Sequence, residues 1–171
     1  MGLLIRRATL ADLPAVLAIY NHAIRTSPST FDIDEKTLQE REAWFAAHDA
    51  RHPILVAEDA GGIVGWGTLS PMSTRAGWSR TVEDSLYVRA DAIGRGIGTA
   101  LLRALLDEGR RIGHHVVIAQ ITAGNAASVA LHRRCGFVDV GVAHEVGWKF
   151  GRWYDLIIME CLLSTEEREL R

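Results

Sequence analysis

Apolar residues near the beginning of the chain recur every three or four positions, which predicts an amphipathic helix over residues 10–25. Thr9 stands three residues before Asp12, an arrangement typical of the capping box at the start of a helix. A second helix is predicted over residues 35–48. The apolar face of the first helix consists of Leu13, Val16, Leu17, Tyr20 and Ile24.

Beyond residue 50 the pattern changes to short extended runs, which predict strands. A turn at residues 59–62 joins two of these strands as a hairpin. Two further helices are predicted at residues 97–112 and 125–134. The strands are predicted at residues 4–8, 53–58, 63–69, 81–88, 115–121, 137–144 and 154–162, and residues 145–153 are predicted to connect the last two strands as a loop.

The resulting order of elements is β-α-α-β-β-β-α-β-α-β-β, which predicts one α/β (α+β) domain built on a mixed sheet. Its 171 residues are enough for one domain with a sizeable core. The domain is predicted to span residues 1–163. Residues 164–171 are predicted to form a C-terminal tail, either a frayed helix or disordered.

Composition and charge exclude several classes of function. Apolar residues make up 48% of the chain and the net charge is −2, so nucleic acid and anionic membranes are not favoured as partners. The start of the chain lacks the basic-then-apolar order of a signal peptide. The two cysteines, Cys135 and Cys161, lie in apolar surroundings typical of core residues, which favours a reduced, cytoplasmic protein.

A glycine-rich turn is the strongest chemical signal, and residues 91–102 read D-A-I-G-R-G-I-G-T-A-L-L. A strand, a glycine turn and a helix start form a cradle for an anion, although a plain turn remains the alternative on the glycines alone. A dinucleotide motif requires a third glycine where this chain has Thr99, and the following strand ends without a carboxylate. The Gly-Lys-Ser/Thr of ATPases is absent as well. A pyrophosphate site of another kind remains.

This turn resembles the acyl-CoA pyrophosphate loop of the GNAT N-acetyltransferases, whose pattern is Arg/Gln-x-x-Gly-x-Gly/Ala. Gly96 and Gly98 occupy the glycine positions and Ile93 occupies the first position. Residues 125–137, N-A-A-S-V-A-L-H-R-R-C-G-F, resemble the second CoA-contacting helix of that family. Segments 11–21, 81–88 and 146–155 resemble the phosphinothricin and methionine sulfoximine N-acetyltransferase subfamily, and V-G-W-K-F-G-R-W-Y-D at 146–155 is the most diagnostic of them.

The resemblance implies the GNAT fold, a central mixed and mostly antiparallel sheet flanked by helices. It also implies a homodimer that transfers an acetyl group from acetyl-CoA to a small amine, without a metal. Backbone groups of residues 86–88 are expected to pair with the pantetheine arm as an added strand. The expected cofactor-binding residues are Leu86, Tyr87, Val88, Gly94, Arg95, Gly96, Ile97, Gly98, Thr99, Asn125 and Arg134.

Glu83 is the candidate general base, because it lies on the strand that leads to the glycine turn and stands in the T-V-E of the subfamily. Burial beside Trp66 or Trp78 is expected to raise the pKa of this carboxyl. Asp84 is expected to point to the opposite face of the strand.

His132 occupies the position where many relatives carry Tyr, so it is the second catalytic candidate, as an acid or as a partner of Glu83. The alternative is a histidine packed against the sheet.

The acceptor pocket is the least defined part of the prediction. Arg75, Arg80 and Lys149 are candidates to pair with a substrate carboxylate, although each is more often a solvated charge. The aromatic segment 146–155 is expected to close a small pocket, which disfavours the alternative of a protein or peptide N-terminal acetyltransferase. A non-catalytic acyl-CoA-binding module is the other alternative. The expected acceptor walls are Gly67, Thr68 and Leu69 on one strand and Thr81, Val82 and Glu83 on another.

Overall fold

The computed structural model describes residues 2–163, so the tail predicted at residues 164–171 lies outside the described residues. Seven strands form one sheet in the order β1-β2-β3-β4-β5-β7-β6, and every neighbouring pair is antiparallel except β4 and β5. The strands are β1 (Leu4–Arg7), β2 (Ile54–Asp59), β3 (Gly62–Pro71), β4 (Thr81–Val88), β5 (Val116–Thr122), β6 (Val138–Lys149) and β7 (Arg152–Leu162), and the α-helices are α1 (Leu13–Thr26), α2 (Leu38–Ala46), α3 (Ile97–Ile112) and α4 (Ala126–Arg134).

The helices cover both faces of the sheet. The buried leucines of α3, among them Leu101 and Leu105, pack with Val117 of β5 in the larger core cluster. On the opposite face Val16 of α1 packs with Trp66 of β3 in a second cluster. No helix within residues 2–163 is both long and apolar enough to span a bilayer. The predicted mixed sheet flanked by helices is confirmed.

Capping residues fix where the first two helices begin. The carboxylate of Asp12 accepts hydrogen bonds from the backbone N–H and the hydroxyl of Thr9, and a 3₁₀ turn at Leu10–Asp12 leads into α1. The second helix is shorter than the predicted span of residues 35–48. Thr37 and Glu40 form a reciprocal capping box there, so α2 begins only at Leu38.

The C-terminal hairpin corrects one prediction. Residues 145–153 are not a loop, because β6 continues to Lys149 and β7 begins at Arg152. The pairing of the two strands shifts between Ala143 and Gly147, where Glu145 has a φ of +53°. Trp148 pairs with Trp153 across the hairpin, both about half exposed, whereas Lys149 is 3% exposed. The segment thus alternates between outward aromatic and inward residues as a strand does, and the buried lysine obscured that alternation in the sequence.

The only parallel pair described in the sheet opens into a cleft. β4 and β5 pair at three positions, Thr81–Val116, Val82–Val117 and Glu83–Ile118. Beyond Glu83 both strands continue, to Val88 and to Thr122, without pairing with each other. Glu83 therefore lies at the point where the two strands diverge.

Candidate active site

The glycine turn forms one wall of a cavity of about 580 Å³, named here the glycine-loop cavity. Gly94 and Gly96 have φ values of +83° and +79°, the left-handed region that favours glycine. Gly96 is the residue before α3, so the chain turns sharply into the helix. The first-turn N–H groups of a helix have no partner within it, which makes this end of α3 suited to an anion.

The cavity gathers every predicted cofactor-binding residue except Arg95. Arg95 is exposed, its guanidinium pairs with Asp59 at 2.8 Å, and it does not line the cavity, so its contact with the cofactor stays a prediction. The opposite wall is the C-terminal half of α1, including Ile19 and His22, which the sequence analysis missed. The predicted residues that line the cavity are Leu86, Tyr87, Val88, Gly94, Gly96, Ile97, Gly98, Thr99, Asn125 and Arg134.

Gly98 has a packing role that the sequence did not reveal. It is buried, and a Cβ at this position would lie 2.8 Å from Cδ1 of Leu131 and 3.4 Å from Cδ1 of Leu86. The absence of a side chain therefore lets α3 approach α4 and β4 closely. Ile93, by contrast, lines the cavity but is 70% exposed.

A second cavity of about 290 Å³, the cleft cavity, lies where β4 and β5 diverge. Glu83 and Gln120 line it, and so does His132 from α4. Leu86 and Tyr87 line both this cavity and the glycine-loop cavity, so the two adjoin. A polar side chain at Gln120, within an otherwise apolar strand, is the signal in the sequence that would have located this cleft.

The carboxyl of Glu83 has the raised pKa expected of a general base. Burial is the main cause, the negative charge of Asp84 raises the pKa further, and the side chain of Gln120 opposes the rise. The predicted neighbours are corrected, because Trp66 lies opposite Tyr87, four residues further along β4, and Trp78 is 44% exposed. The direction of the shift matches a carboxylate that accepts a proton near neutral pH.

His132 is paired with Asp84 rather than with Glu83. Its Nε2 lies 3.1 Å from Oδ2 of Asp84, and its Nδ1 lies 2.8 Å from the carbonyl oxygen of Ser128. Side chains alternate along β4, so Asp84 faces α4 whereas Glu83 faces the other side of the strand. Burial lowers the pKa of His132, but the hydrogen bond and charge of Asp84 outweigh it and the net pKa is raised. Both side chains are buried.

Most of the predicted acceptor walls are corrected. Gly67, Leu69 and Val82 lie on the α3 side of the sheet: a Cβ at Gly67 would meet Leu105, and the other two belong to the larger core cluster. Thr81 lines none of the described cavities. The strand period places every second side chain of β3 and β4 in the core, which leaves Thr68 and Glu83 facing cavities.

The three predicted basic candidates for a substrate carboxylate do not converge on the cleft. Arg80 donates from Nε to the carbonyl oxygen of Gly113 at 2.9 Å, and Arg75 is exposed outside the described cavities. The Nζ of Lys149 donates to the carbonyl oxygen of Thr30 at 2.8 Å. Lys149 thus ties the C-terminal hairpin to a loop above the cleft.

This loop, residues 28–32, forms a roof over the cleft cavity. The hydroxyl of Thr122 donates to the carbonyl oxygen of Pro28 at 2.6 Å, and the ring of Phe31 packs on Gly147 of the hairpin. Phe31 lines the cleft cavity. Segment 146–155 therefore supports the roof rather than closing a pocket itself, which corrects the prediction that its aromatic residues close the site.

Comparisons with known proteins agree with this geometry. The model described as Acetyltransferase (GNAT) family matches residues 16–137. An L-methionine sulfoximine/L-methionine sulfone acetyltransferase of Pseudomonas paraeruginosa is 45% identical over 166 residues, which cover 96% of each chain. A phosphinothricin acetyltransferase of Sinorhizobium meliloti, solved in complex with AcCoA, has a TM-score of 0.92 at 32% identity and covers 96% of this chain and 90% of its own. A ribosomal-protein-alanine N-acetyltransferase of Brucella melitensis has a TM-score of 0.90 at 44% identity, covering 93% and 99%.

Proposed function

This chain belongs to the GNAT acetyltransferase family, and on that premise we propose that it acetylates the amine of a small amino acid analogue, with acetyl-CoA as donor. The acceptors are of the methionine sulfoximine, methionine sulfone or phosphinothricin type, the substrates named for similar proteins. The observation that carries the proposal is Glu83, a half-buried carboxyl with a raised pKa at the point where β4 and β5 diverge.

Glu83 supplies the base that the reaction requires. An ammonium has no lone pair, so the amine must lose a proton before it attacks the thioester carbonyl. Glu83 faces the cleft cavity and receives that proton, directly or through a water. As the C–N bond forms and the C–S bond breaks, the nitrogen gives up its second proton to solvent and the donor leaves as a thiolate. Alignment of amine and thioester within the cleft supplies much of the acceleration.

His132 supplies the proton that the departing thiolate takes up. It lines the cleft cavity from α4, and the contact with Asp84 favours its protonated form. Base and acid then lie on different elements, Glu83 on β4 and His132 on α4. This separation matches a reaction in which one proton leaves the amine while another reaches the sulfur.

The donor occupies the glycine-loop cavity. Its pyrophosphate binds the backbone at the start of α3, where Gly94 and Gly96 hold the turn. The pantetheine arm runs along residues 86–88 of β4, on the edge that no longer pairs with β5, towards Glu83. This path leads from one cavity into the other and brings the thioester to the cleft.

The test follows thiol release from acetyl-CoA with methionine sulfoximine, methionine sulfone and phosphinothricin. We expect turnover with at least one of them, and a fall in kcat of about 10²- to 10⁴-fold in Glu83→Gln, the range typical of a lost general base. The variant should keep the thermal stabilisation that CoA produces in the wild type. The absence of turnover above background with all three acceptors would refute the proposed substrate class. If cells that carry Glu83→Gln keep the wild-type phenotype, the alternative of a non-catalytic CoA-binding module is favoured.

Protein N-terminal acetylation is the second candidate, because a similar solved structure carries the name ribosomal-protein-alanine N-acetyltransferase. A peptide needs an open groove, whereas the loop of residues 28–32 roofs the cleft and is tied down by Thr122 and Lys149. The small acceptor is therefore favoured. A panel of peptides with N-terminal alanine separates the two, since a kcat/KM above that for methionine sulfone would reverse the preference.

The proposed enzyme is a homodimer in the cytoplasm. Support for the dimer comes from the C-terminal hairpin, whose outward face is apolar and exposed over most of its length. Support for the location comes from the two cysteines, which are both free thiols. The exposed apolar residues of the hairpin are Val138, Val140, Val142, Val146, Trp148, Phe150 and Trp153.

A further inference from the structure

Arg41 is a buried cation that the proposed reaction does not use. It lies on α2 and is 4% exposed. Its guanidinium carbon lies 4.4 Å from the ring centres of both Tyr20 and Trp44 and 5.4 Å from that of Trp66. Its Nε has no hydrogen-bond partner within residues 2–163, and no carboxylate of that range lies within 4.0 Å of the guanidinium.

Burying such a charge is costly unless it is paired. Contacts with aromatic rings return about 0.5–2 kcal/mol each, but they do not satisfy N–H donors as an oxygen atom does. The two nearby acids, Asp32 and Glu40, are already engaged. Asp32 accepts from the hydroxyl of Tyr20 at 2.7 Å and pairs with Lys36 at 3.3 Å, and Glu40 accepts from the backbone N–H and the hydroxyl of Thr37. A guanidinium held in this way is prepared for an oxygen-bearing ligand.

A cavity of about 340 Å³, the arginine cavity, opens beside this guanidinium. Polar side chains of the sheet line it, namely Thr68, Ser70 and Ser85. Tyr20, Ser85 and Tyr87 line both this cavity and the cleft cavity, so the two adjoin.

Strand register places Glu83, which lines the cleft cavity, beside the arginine cavity. Ser70 lies opposite Glu83, and Thr68 lies opposite Ser85. Glu83 and Ser85 are two residues apart on the same face, about 7 Å along the strand. This is the scale of one amino acid side chain, and Ser85 lines both the cleft cavity and the arginine cavity, so a ligand with its amine at Glu83 that extends along β4 by this distance reaches the arginine cavity.

We propose that the guanidinium of Arg41 binds an oxygen-bearing group of the acceptor while the acceptor's amine faces Glu83. The group is either the α-carboxylate or the oxygen atoms at the end of the side chain, such as those of a sulfone or a phosphinate. The planar fork of arginine matches two such oxygens, which a lysine ammonium does not. The proposal names the specificity residue of the acceptor site and rests on the proposed function.

The experiment compares wild type with Arg41→Met, which removes the charge but keeps an apolar side chain between the rings. Arg41→Lys keeps the charge and removes the fork, so it tests the proposal even if the first variant fails to fold. Arg110→Met is the matched control, since Arg110 lies on α3, is 47% exposed and pairs with Asp107. Thermal stabilisation by CoA confirms that each variant retains a folded donor site.

Three acceptors identify the bound group. Methionine sulfone has both the carboxylate and the sulfone, 3-(methylsulfonyl)propylamine lacks the carboxylate, and methionine lacks the sulfone oxygens. We expect Arg41→Met and Arg41→Lys to lower kcat/KM for methionine sulfone at least ten-fold, mainly through KM. The decrease should vanish for the analogue that lacks the group bound by Arg41. Calorimetric binding of methionine sulfone to the CoA-loaded proteins should show the same loss of affinity.

Two results would overturn the proposal. Equal decreases for all three acceptors would mean that Arg41 only maintains the fold of α2, and an unchanged KM for methionine sulfone would mean that it does not contact the acceptor. Failure of the proposed function is distinguishable, because in that case the wild type itself acetylates none of the three.

Discussion

The imidazole of His132 lies between two oxygen atoms, with Nε2 3.1 Å from Oδ2 of Asp84 and Nδ1 2.8 Å from the carbonyl oxygen of Ser128. A neutral imidazole has one N–H and cannot donate to both, so these contacts favour the imidazolium while Asp84 is ionised. The pairing explains why the net pKa of His132 is raised despite its burial. The pair thus favours a protonated histidine beside the cleft in which, in the proposed reaction, a thiolate has to be protonated.

Asp84→Asn should lower the pKa of His132 below its ordinary value near 6.5, because burial is then no longer opposed by the carboxylate. NMR titration of the histidine Cε1–H signals measures this, with His132→Gln used for assignment. If the carbonyl of Ser128 alone sustains the imidazolium, the titration of His132 will not move.

Stability should depend on pH through the same pair. The pKa of His132 is higher in the folded than in the unfolded chain, so its stabilising effect is complete below pH 6.5 and is lost as the pH rises through the folded value. We expect Asp84→Asn to lower the free energy of unfolding by about 1–3 kcal/mol at pH 5.5 and by less at pH 9. Urea unfolding at the two pH values tests this, and a larger loss at pH 9 would contradict it.

Gln120 should set the acidic limb of the pH–rate profile. Its side chain lowers the pKa of Glu83 against the effects of burial and of Asp84. Gln120→Leu removes that interaction, so the fall of kcat/KM at low pH should begin at a higher pH than in the wild type. Gln39→Leu, an exposed substitution on α2, should leave the profile unchanged. If the fall of kcat/KM at low pH begins at the same pH in Gln120→Leu as in the wild type, it is caused by a group other than Glu83.

Local signals in the sequence predicted the strands and helices that frame the site, but not all of its contacts. The glycine turn and the β4 run are local patterns, and residues 97–112 form α3 as expected. The pairing of His132 with Asp84 joins residues 48 positions apart and depends on which face of β4 meets α4. Lys149 misled the prediction of the hairpin, because a charged residue was not expected in a buried position of a strand.

The arginine cavity was also beyond local reasoning. Arg41 reads as a surface residue of an amphipathic helix, and only tertiary packing shows that Tyr20 and Trp66 enclose it from α1 and β3. The prediction of the acceptor walls was wrong for a related reason. The alternation of side chains along a strand was used to place Asp84 but not Leu69 and Val82, which it places in the core.

Gly98→Ala should destabilise the fold by about 1–3 kcal/mol, because the added methyl group overlaps Cδ1 of Leu131. Leu131→Val shortens that side chain and should recover part of the loss in the double variant. Gly77→Ala is the matched control, since its Cβ meets nothing within 4 Å. Chemical denaturation measures all three. Equal stabilities of the Gly98 and Gly77 variants would exclude close helix packing as the reason for glycine at position 98.

Gly96→Ala tests conformation rather than packing at the same loop. The position has open space around it but a φ of +79°, so a cost of about 1–2 kcal/mol arises from the backbone alone. Relaxation of the turn should also weaken CoA binding, measured by calorimetry. Wild-type affinity and stability together would mean that the turn tolerates a side chain.

Trp153→Glu should dissociate the proposed homodimer. Trp153 and Trp148 pack edge to face at 5.1 Å and are about half exposed on the hairpin, so a charge there would be buried at an interface. Light scattering after size exclusion should give the mass of two chains for the wild type and of one for the variant. Trp78→Glu, a change at an exposed aromatic outside the hairpin, should leave the mass unchanged. A monomeric wild type would refute the dimer directly.

Ile93→Arg should tighten CoA binding. Ile93 lines the glycine-loop cavity, is 70% exposed and follows the 3₁₀ turn in an extended conformation, so a longer side chain fits without repacking. Its acidic neighbours are already paired, Asp91 with Arg89 and Asp59 with Arg95, which leaves the added guanidinium free for the pyrophosphate.

An exposed charge pair between this guanidinium and the pyrophosphate contributes up to about 1 kcal/mol, or roughly five-fold in the dissociation constant. The gain should shrink as salt is added. Calorimetric titration with CoA measures it against Ile93→Met, a neutral variant with a long side chain. Equal dissociation constants for the two would mean that this position does not face the pyrophosphate.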